Sequence, residues 1–196
     1  MELILVRHGE TIWNREGRVQ GFSDIDLSDT GVHQARQLAL SLKATRISAI
    51  YSSPLIRAQS TTRIINEHHH APVSIEPGLM EMDQGDFEGL TFQELMACEK
   101  GFLQKWMSDP ASVQIPNGES FIDVQKRAWK VIEDIFGKSE NALVVSHNFT
   151  IASILCKIKN ISLSRFREVC VDTASRTIVR YENGTASIEL FNVACQ

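Results

Sequence analysis

Residues 3–9 read Leu3-Ile4-Leu5-Val6-Arg7-His8-Gly9, an aliphatic run that stops abruptly at two basic side chains and a glycine. Residues 142–147 repeat the pattern as Ala142-Leu143-Val144-Val145-Ser146-His147. Unbroken apolar runs of this length suit strands buried on both faces of a sheet. A third run, Ile47–Tyr51, leads into Ser52-Ser53-Pro54 and then a helical segment carrying Arg57 in its opening turn. Proline is favourable near a helix start, where its missing N–H would have had no partner. Each histidine then stands just past the carboxyl end of a buried strand. In open α/β sheets, ligands bind in the crevice beyond those ends.

Helical periodicity fills the gaps. Val32, Ala35, Leu38, Ala39 and Leu42 mark one amphipathic helix, and Ile151, Ile154, Leu155 and Ile158 another. Val124, Ala128, Val131, Ile132 and Ile135 mark a third, which Ser120 and Asp123 open in a capping-box spacing. Strand and helix alternate, which predicts an α/β fold with a largely parallel sheet. Thr177–Tyr181 and Ala186–Phe191 flank Asn183-Gly184, the signature of a tight hairpin. Between about Pro77 and Asn117 an acidic stretch carries Met80, Met82, Phe87, Phe92, Phe102 and Trp106. It reads as a mostly helical, cap-like insertion in a single domain spanning residues 1–196.

Composition narrows the possibilities. The chain has 196 residues, 43% of them apolar and 22% charged, with a net charge of -4. A domain of this size buries enough surface to fold without a disulfide or a metal. The acidic balance argues against a nucleic-acid binder that works through bulk charge. No apolar run is long enough to cross a bilayer, and Arg7-His8 interrupts the place where a signal peptide would continue. Cys98, Cys156, Cys170 and Cys195 form no CxxC pair and are expected to be reduced thiols in a cytoplasmic protein.

If the three apolar strands are neighbours, Arg7, His8, Arg57 and His147 converge on one pocket. Guanidinium forks match phosphate oxygens, and the helix that follows His147 would offer free N–H groups at its start. A cationic pocket in an acidic protein selects a small dianion. Each residue alone has an ordinary explanation: a turn histidine, a salt-bridged arginine, a buried imidazole with its hydrogen bonds satisfied. Three strand ends delivering them together favours function.

The chain resembles the histidine phosphatase superfamily, in its phosphoglycerate-mutase-like branch. The resemblance is carried by Arg7-His8-Gly9-Glu10-Thr11 with Trp13-Asn14, Gln20-Gly21, Leu27-Ser28 with Gly31 and Ala35, and Ser52-Ser53-Pro54-Leu55 with Arg57-Ala58. It continues through Glu81 with Gly85 and Glu88-Gly89, Gly118-Glu119-Ser120, and Val144-Val145-Ser146-His147. It implies a three-layer α/β/α sandwich and a metal-independent enzyme without a cofactor.

The resemblance also implies roles. His8 is the nucleophile that forms a phosphohistidine, its other ring nitrogen held by a backbone carbonyl near Gly9. Arg7, Arg57 and His147 surround the phosphoryl oxygens, Asn14, Gln20 and Gly21 line the phosphate site, with Asn148 also among the substrate-binding residues, and Glu81 is the general acid. On its own spacing Glu81 is one carboxylate among several, with Asp83, Asp86 and Glu88 as rivals. Asn148 stands where mutases and many relatives have glycine, which unsettles a backbone contact to phosphate, and Phe149 would narrow the pocket. Hydrolysis of a small phosphorylated metabolite is expected, with α-ribazole phosphate, phosphoserine and sugar or glyceryl phosphates as candidates. Phosphoglycerate mutase-type transfer and noncatalytic phospholigand binding are the alternatives. His68-His69-His70 lacks the spacing and extra ligands of a metal site. The hairpin around Asn183-Gly184 could supply the edge of a homodimer.

Overall fold

A computed structural model of the chain describes residues 1–138 and 140–194. Among them, strands β1 (Glu2–Arg7), β2 (Ala49–Ser52), β3 (Val73–Ile75), β4 (Ala142–Ser146), β5 (Ser175–Glu182) and β6 (Thr185–Ala194) form one sheet in the order β3-β2-β4-β1-β5-β6. The first four are mutually parallel, and β5 and β6 add an antiparallel hairpin on the far side of β1. The α-helices are α1 (Ile12–Glu16), α2 (Asp29–Leu42), α3 (Ile56–Asn66), α4 (Phe92–Cys98), α5 (Lys100–Ser108), α6 (Phe121–Lys138) and α7 (Asn148–Ile158).

Side chains alternate across a strand, so β1 serves two cores at once. Leu3 and Leu5 join Phe121, Val124, Ala128 and Ile132 of α6 and Ile151, Ile154 and Leu155 of α7. Ile4 and Val6 join Leu38, Ala39 and Leu42 of α2 and Ala58 and Ile65 of α3. The result is the three-layer α/β/α sandwich. The acidic stretch supplies α4, α5 and short 3₁₀ turns at Pro77–Leu79, Gly85–Phe87 and Pro110–Ser112. Its Leu79, Met82, Phe87, Leu95 and Leu103 pack into the α6–α7 core, so its apolar face is continuous with the main one.

Some elements differ from the sequence reading. β3 is three exposed residues paired with β2 on the sheet edge, and its Val73-Ser74-Ile75 alternation is too short to mark a strand in the sequence. The five-residue α1 exists because Thr11 and Asn14 cap each other reciprocally. The run from Ile47 begins pairing only at Ala49, opposite Ala142. The hairpin strands are longer than their apolar cores, and Asn183 and Gly184 both take positive φ, 52° and 77°. No described helix is long and apolar enough to cross a membrane. Cys98, Cys156 and Cys170 are free thiols, and Cys195 lies outside the described residues. His68–His70 close the turn after α3, and no group of three or more His, Cys, Asp or Glu among the described residues could hold a metal ion.

Candidate active site

The β1–β4 register pairs Arg7 with Ser146, so the next residue of each strand is a histidine. His8 and His147 therefore emerge side by side, both buried, with ring centroids 5.0 Å apart. The backbone holds His8 from two sides: its N–H donates to Ser146 and its carbonyl accepts from Ala174. Gly9 then passes so close to α2 that a Cβ there would sit 2.4 Å from the Gly31 carbonyl oxygen.

Hydrogen bonds fix both tautomers. His8 Nδ1 lies 2.7 Å from the Gly9 carbonyl, which can only accept, so Nδ1 carries the proton and Nε2 a lone pair. Arg57 Nε can only donate, and it donates to His147 Nδ1 at 3.3 Å. His147 therefore carries its proton on Nε2, facing Ser53 Oγ at 2.8 Å. Burial first, then the nearby Arg57, hold both imidazoles well below their ordinary range. At neutral pH both rings are uncharged.

The two arginines provide the charge. Arg57 is completely buried in the second position of α3, with Nη1 donating to Ser23 O at 2.9 Å and Nη2 to Gly21 O at 2.7 Å. Burial lowers its pKa to about 10, the mark of a cation without a full counter-anion. Arg7 donates from Nη1 to Val171 O at 2.6 Å, while its buried Nε has no partner among the described residues. Opposite them, Glu81 is buried against the start of α7. Its carboxyl accepts from the N–H groups of Met82, Thr150 and Phe149. Burial outweighs those bonds and the two arginines and raises its pKa. Two cations beside a carboxyl whose burial favours its neutral form make a floor complementary to a dianion.

That floor lies at the base of a cavity of about 670 Å³ lined by Arg7, His8, Arg57 and Glu81, with Phe87, Phe102, Trp106, Phe149 and Phe166 as walls. A family model for the histidine phosphatase superfamily (branch 1) matches residues 3–194. The chain belongs to this superfamily. Among histidine phosphatases and their kin, it is 33% identical over its full length to phosphoserine phosphatase 1 of Hydrogenobacter thermophilus, covering 93% of that protein. It is 31% identical to an Enterobacter protein named probable phosphoglycerate mutase GpmB, over 93% of this chain and 86% of that one. The solved structure of the alpha-ribazole phosphatase from Shigella flexneri superposes with a TM-score of 0.89 at 28% identity, over 98% of this chain and 96% of that one. The chain is accordingly an enzyme of the phosphatase class.

Within this histidine phosphatase, the residues singled out from sequence fall in distinct layers. Arg7, His8, Arg57, Glu81, Asn14, Gln20 and Asn148 line the cavity. His147 sits behind that surface, with one ring nitrogen bonded to Arg57 and the other to Ser53. Gly21 also stands back: its carbonyl holds Arg57, and a Cβ there would meet Glu88 Oε1 at 2.5 Å. Asn148 uses its side chain to hold Val171 N–H, at 3.0 Å, beside the carbonyl that anchors Arg7. Two of the N–H groups at the start of α7 are not free for phosphate as expected, because Glu81 takes those of Phe149 and Thr150.

The rivals of Glu81 are occupied elsewhere. Asp83 accepts from Gly85 N–H, Asp86 pairs with Asn117, and Glu88 accepts from Phe22 and Ser23 N–H. Sequence reasoning missed Arg127 of α6, which donates to the carbonyls of Gly78, Met80 and Glu81 and pairs with Glu119. It thereby fixes the backbone that carries Glu81. The only signal for it was the neighbouring Gly118-Glu119-Ser120 match.

Proposed function

We propose that the protein hydrolyses a small phosphomonoester through a phosphohistidine on His8. The observation that carries this is the 2.7 Å bond from His8 Nδ1 to Gly9, which leaves an unprotonated Nε2 at the floor of a doubly cationic cavity. A substrate dianion is neutralised by Arg7 and Arg57, whose unused N–H groups are already oriented before the reaction. Nε2 attacks phosphorus as the ester P–O bond breaks, and protonated Glu81 delivers its proton to the leaving alkoxide. The resulting carboxylate then takes a proton from water, which attacks the phosphoryl group. The P–N bond breaks, phosphate leaves, and His8 returns neutral. Every step uses side chains of this chain and water.

The relatives named as phosphoserine and α-ribazole phosphatases support a small phosphorylated metabolite as substrate. Residues 77–117 act as a cap that holds the leaving alcohol, within one domain. Turnover of a ³²P-labelled ester quenched in alkali should leave acid-labile label on the wild type and none on His8→Asn. That variant should lose roughly 10⁴-fold or more in kcat, and EDTA should leave the wild-type rate unchanged. Retained turnover in His8→Asn would overturn the mechanism. With 3-phosphoglycerate, release of inorganic phosphate is expected, and isomerisation to 2-phosphoglycerate would point to a mutase instead.

A further inference from the structure

Above the cationic floor, the cavity dictates what kind of alcohol can leave. Its rings pack against one another, Phe87 on Phe102 with centroids 4.9 Å apart and Trp106 edge-on to Phe149 at 5.9 Å. At the mouth Phe92 and Met107 stay 59% and 62% exposed, so the apolar path continues to the surface. A volume of about 670 Å³ falls in the range that holds a drug-sized ligand, far beyond a phosphorylated three-carbon alcohol.

The charges inside are one-sided. Arg7 and Arg57 are its buried cations, the exposed Arg167 and an Arg18 paired with Glu16 also line it, and Glu81, already committed to proton transfer, is the one carboxylate among the described lining residues. An ammonium carried into this space loses its water and meets no anion, which is costly in an apolar enclosure.

Of the neutral polar side chains that line the cavity, Gln20 and Gln84 each have a buried amide nitrogen without a partner among the described residues, and Gln84 is the one tied to the aromatic wall, its backbone carbonyl accepting from Phe87 N–H. Gln84 lines the cavity and is 5% exposed, yet its Nε2 is buried without a partner among the described residues. Buried donors are almost always satisfied, so this one is suited to an incoming acceptor. Its height is set by Gly21: a Cβ on Gly21 would lie 2.7 Å from Gln84 N, and the Gly21 carbonyl holds Arg57. Gln84 therefore sits where the phosphate floor gives way to the aromatic wall.

Resting on the hydrolase reading, we infer that the preferred leaving alcohol is bulky, apolar and free of cationic groups, and that Gln84 donates to an oxygen near its ester bond. Amino-acid phosphates are thereby disfavoured. The test compares kcat/KM for 3-phenylpropyl phosphate, 2-hydroxy-3-phenylpropyl phosphate and O-phosphoserine, alkyl esters of similar leaving ability, alongside p-nitrophenyl phosphate. The hydroxylated phenyl ester should be best, exceeding O-phosphoserine by about 100-fold. Gln84→Leu should narrow the preference for the hydroxylated over the plain phenyl ester by about tenfold, and Gln84→Met should do the same. O-Phosphoserine turned over as well as the phenyl esters, or an unchanged preference in both variants, would overturn the inference. If His8-dependent hydrolysis of p-nitrophenyl phosphate persists in that case, only this inference falls. A chain that turns over none of the esters brings down the hydrolase reading as well.

Discussion

Glu81 is held between opposing influences. Burial favours its neutral form, while three backbone N–H groups and two arginines favour the anion. A carboxyl balanced in this way can give up a proton and take it back, as a general acid must. Glu81→Gln keeps the shape but removes the proton. It should slow hydrolysis of alkyl phosphates by about 10²-fold or more, while p-nitrophenyl phosphate, whose leaving group needs no proton, loses far less. Equal losses on both substrates, measured as kcat, would remove Glu81 from the acid role. At this scale the sequence was legible where a side chain follows a strand end, as with Arg7, His8 and His147. It was not legible where identity depends on neighbours far along the chain. Nothing local distinguishes Glu81 from Asp83 or Glu88, or reveals that Gln84 has no partner. Nor does the chain order show that His147 spends both nitrogens inside the protein.

The close passage of the β1–α1 loop over α2 is a property of elements. Ser28 caps α2 by accepting from Gly31 N–H, and Glu10 Oε1 accepts from the Ser28 hydroxyl. A Cβ on Gly31 would lie 2.0 Å from the Glu10 carbonyl oxygen, so neither backbone can yield without moving the loop that begins with His8 and Gly9. Gly31→Ala should therefore destabilise the protein by about 1–3 kcal/mol in urea unfolding. It should also lower kcat, because the Gly9 carbonyl that fixes the His8 tautomer shifts with the loop. A variant with wild-type stability and rate would show that the contact is slack. The main helices and buried strands were readable because periodicity reports burial. The edge strand β3 and the single-turn α1 were not, since one is exposed throughout and the other rests on a local cap.

For the whole molecule, neutral buried histidines have a stability consequence. The folded state holds His8 and His147 well below the ordinary imidazole value of 6.5, so below that pH the unfolded chain binds protons that the folded one refuses. Stability should fall as pH drops below about 6.5, by up to ~1.4 kcal/mol per pH unit for each ring, until the folded values are reached. Glu81 acts in the opposite sense: its raised value favours folding at low pH, and that contribution is lost as pH rises through it. Urea midpoints at pH 8 and 5.5 should show a net loss on acidification, shallower in His8→Asn. An unchanged slope in that variant would mean that His8 titrates freely in the fold.

β1 precedes both of its sheet neighbours in the chain and must wait for them. β1 lies between β4 and β5, and Arg7 is anchored on Val171, 164 residues downstream. During vectorial synthesis its flanking positions stay empty until β4 and then β5 have emerged. Contacts this distant are slow to form, because the intervening loop must close first. Catalytic competence should therefore appear late and all at once on the ribosome, with no active truncated product released along the way.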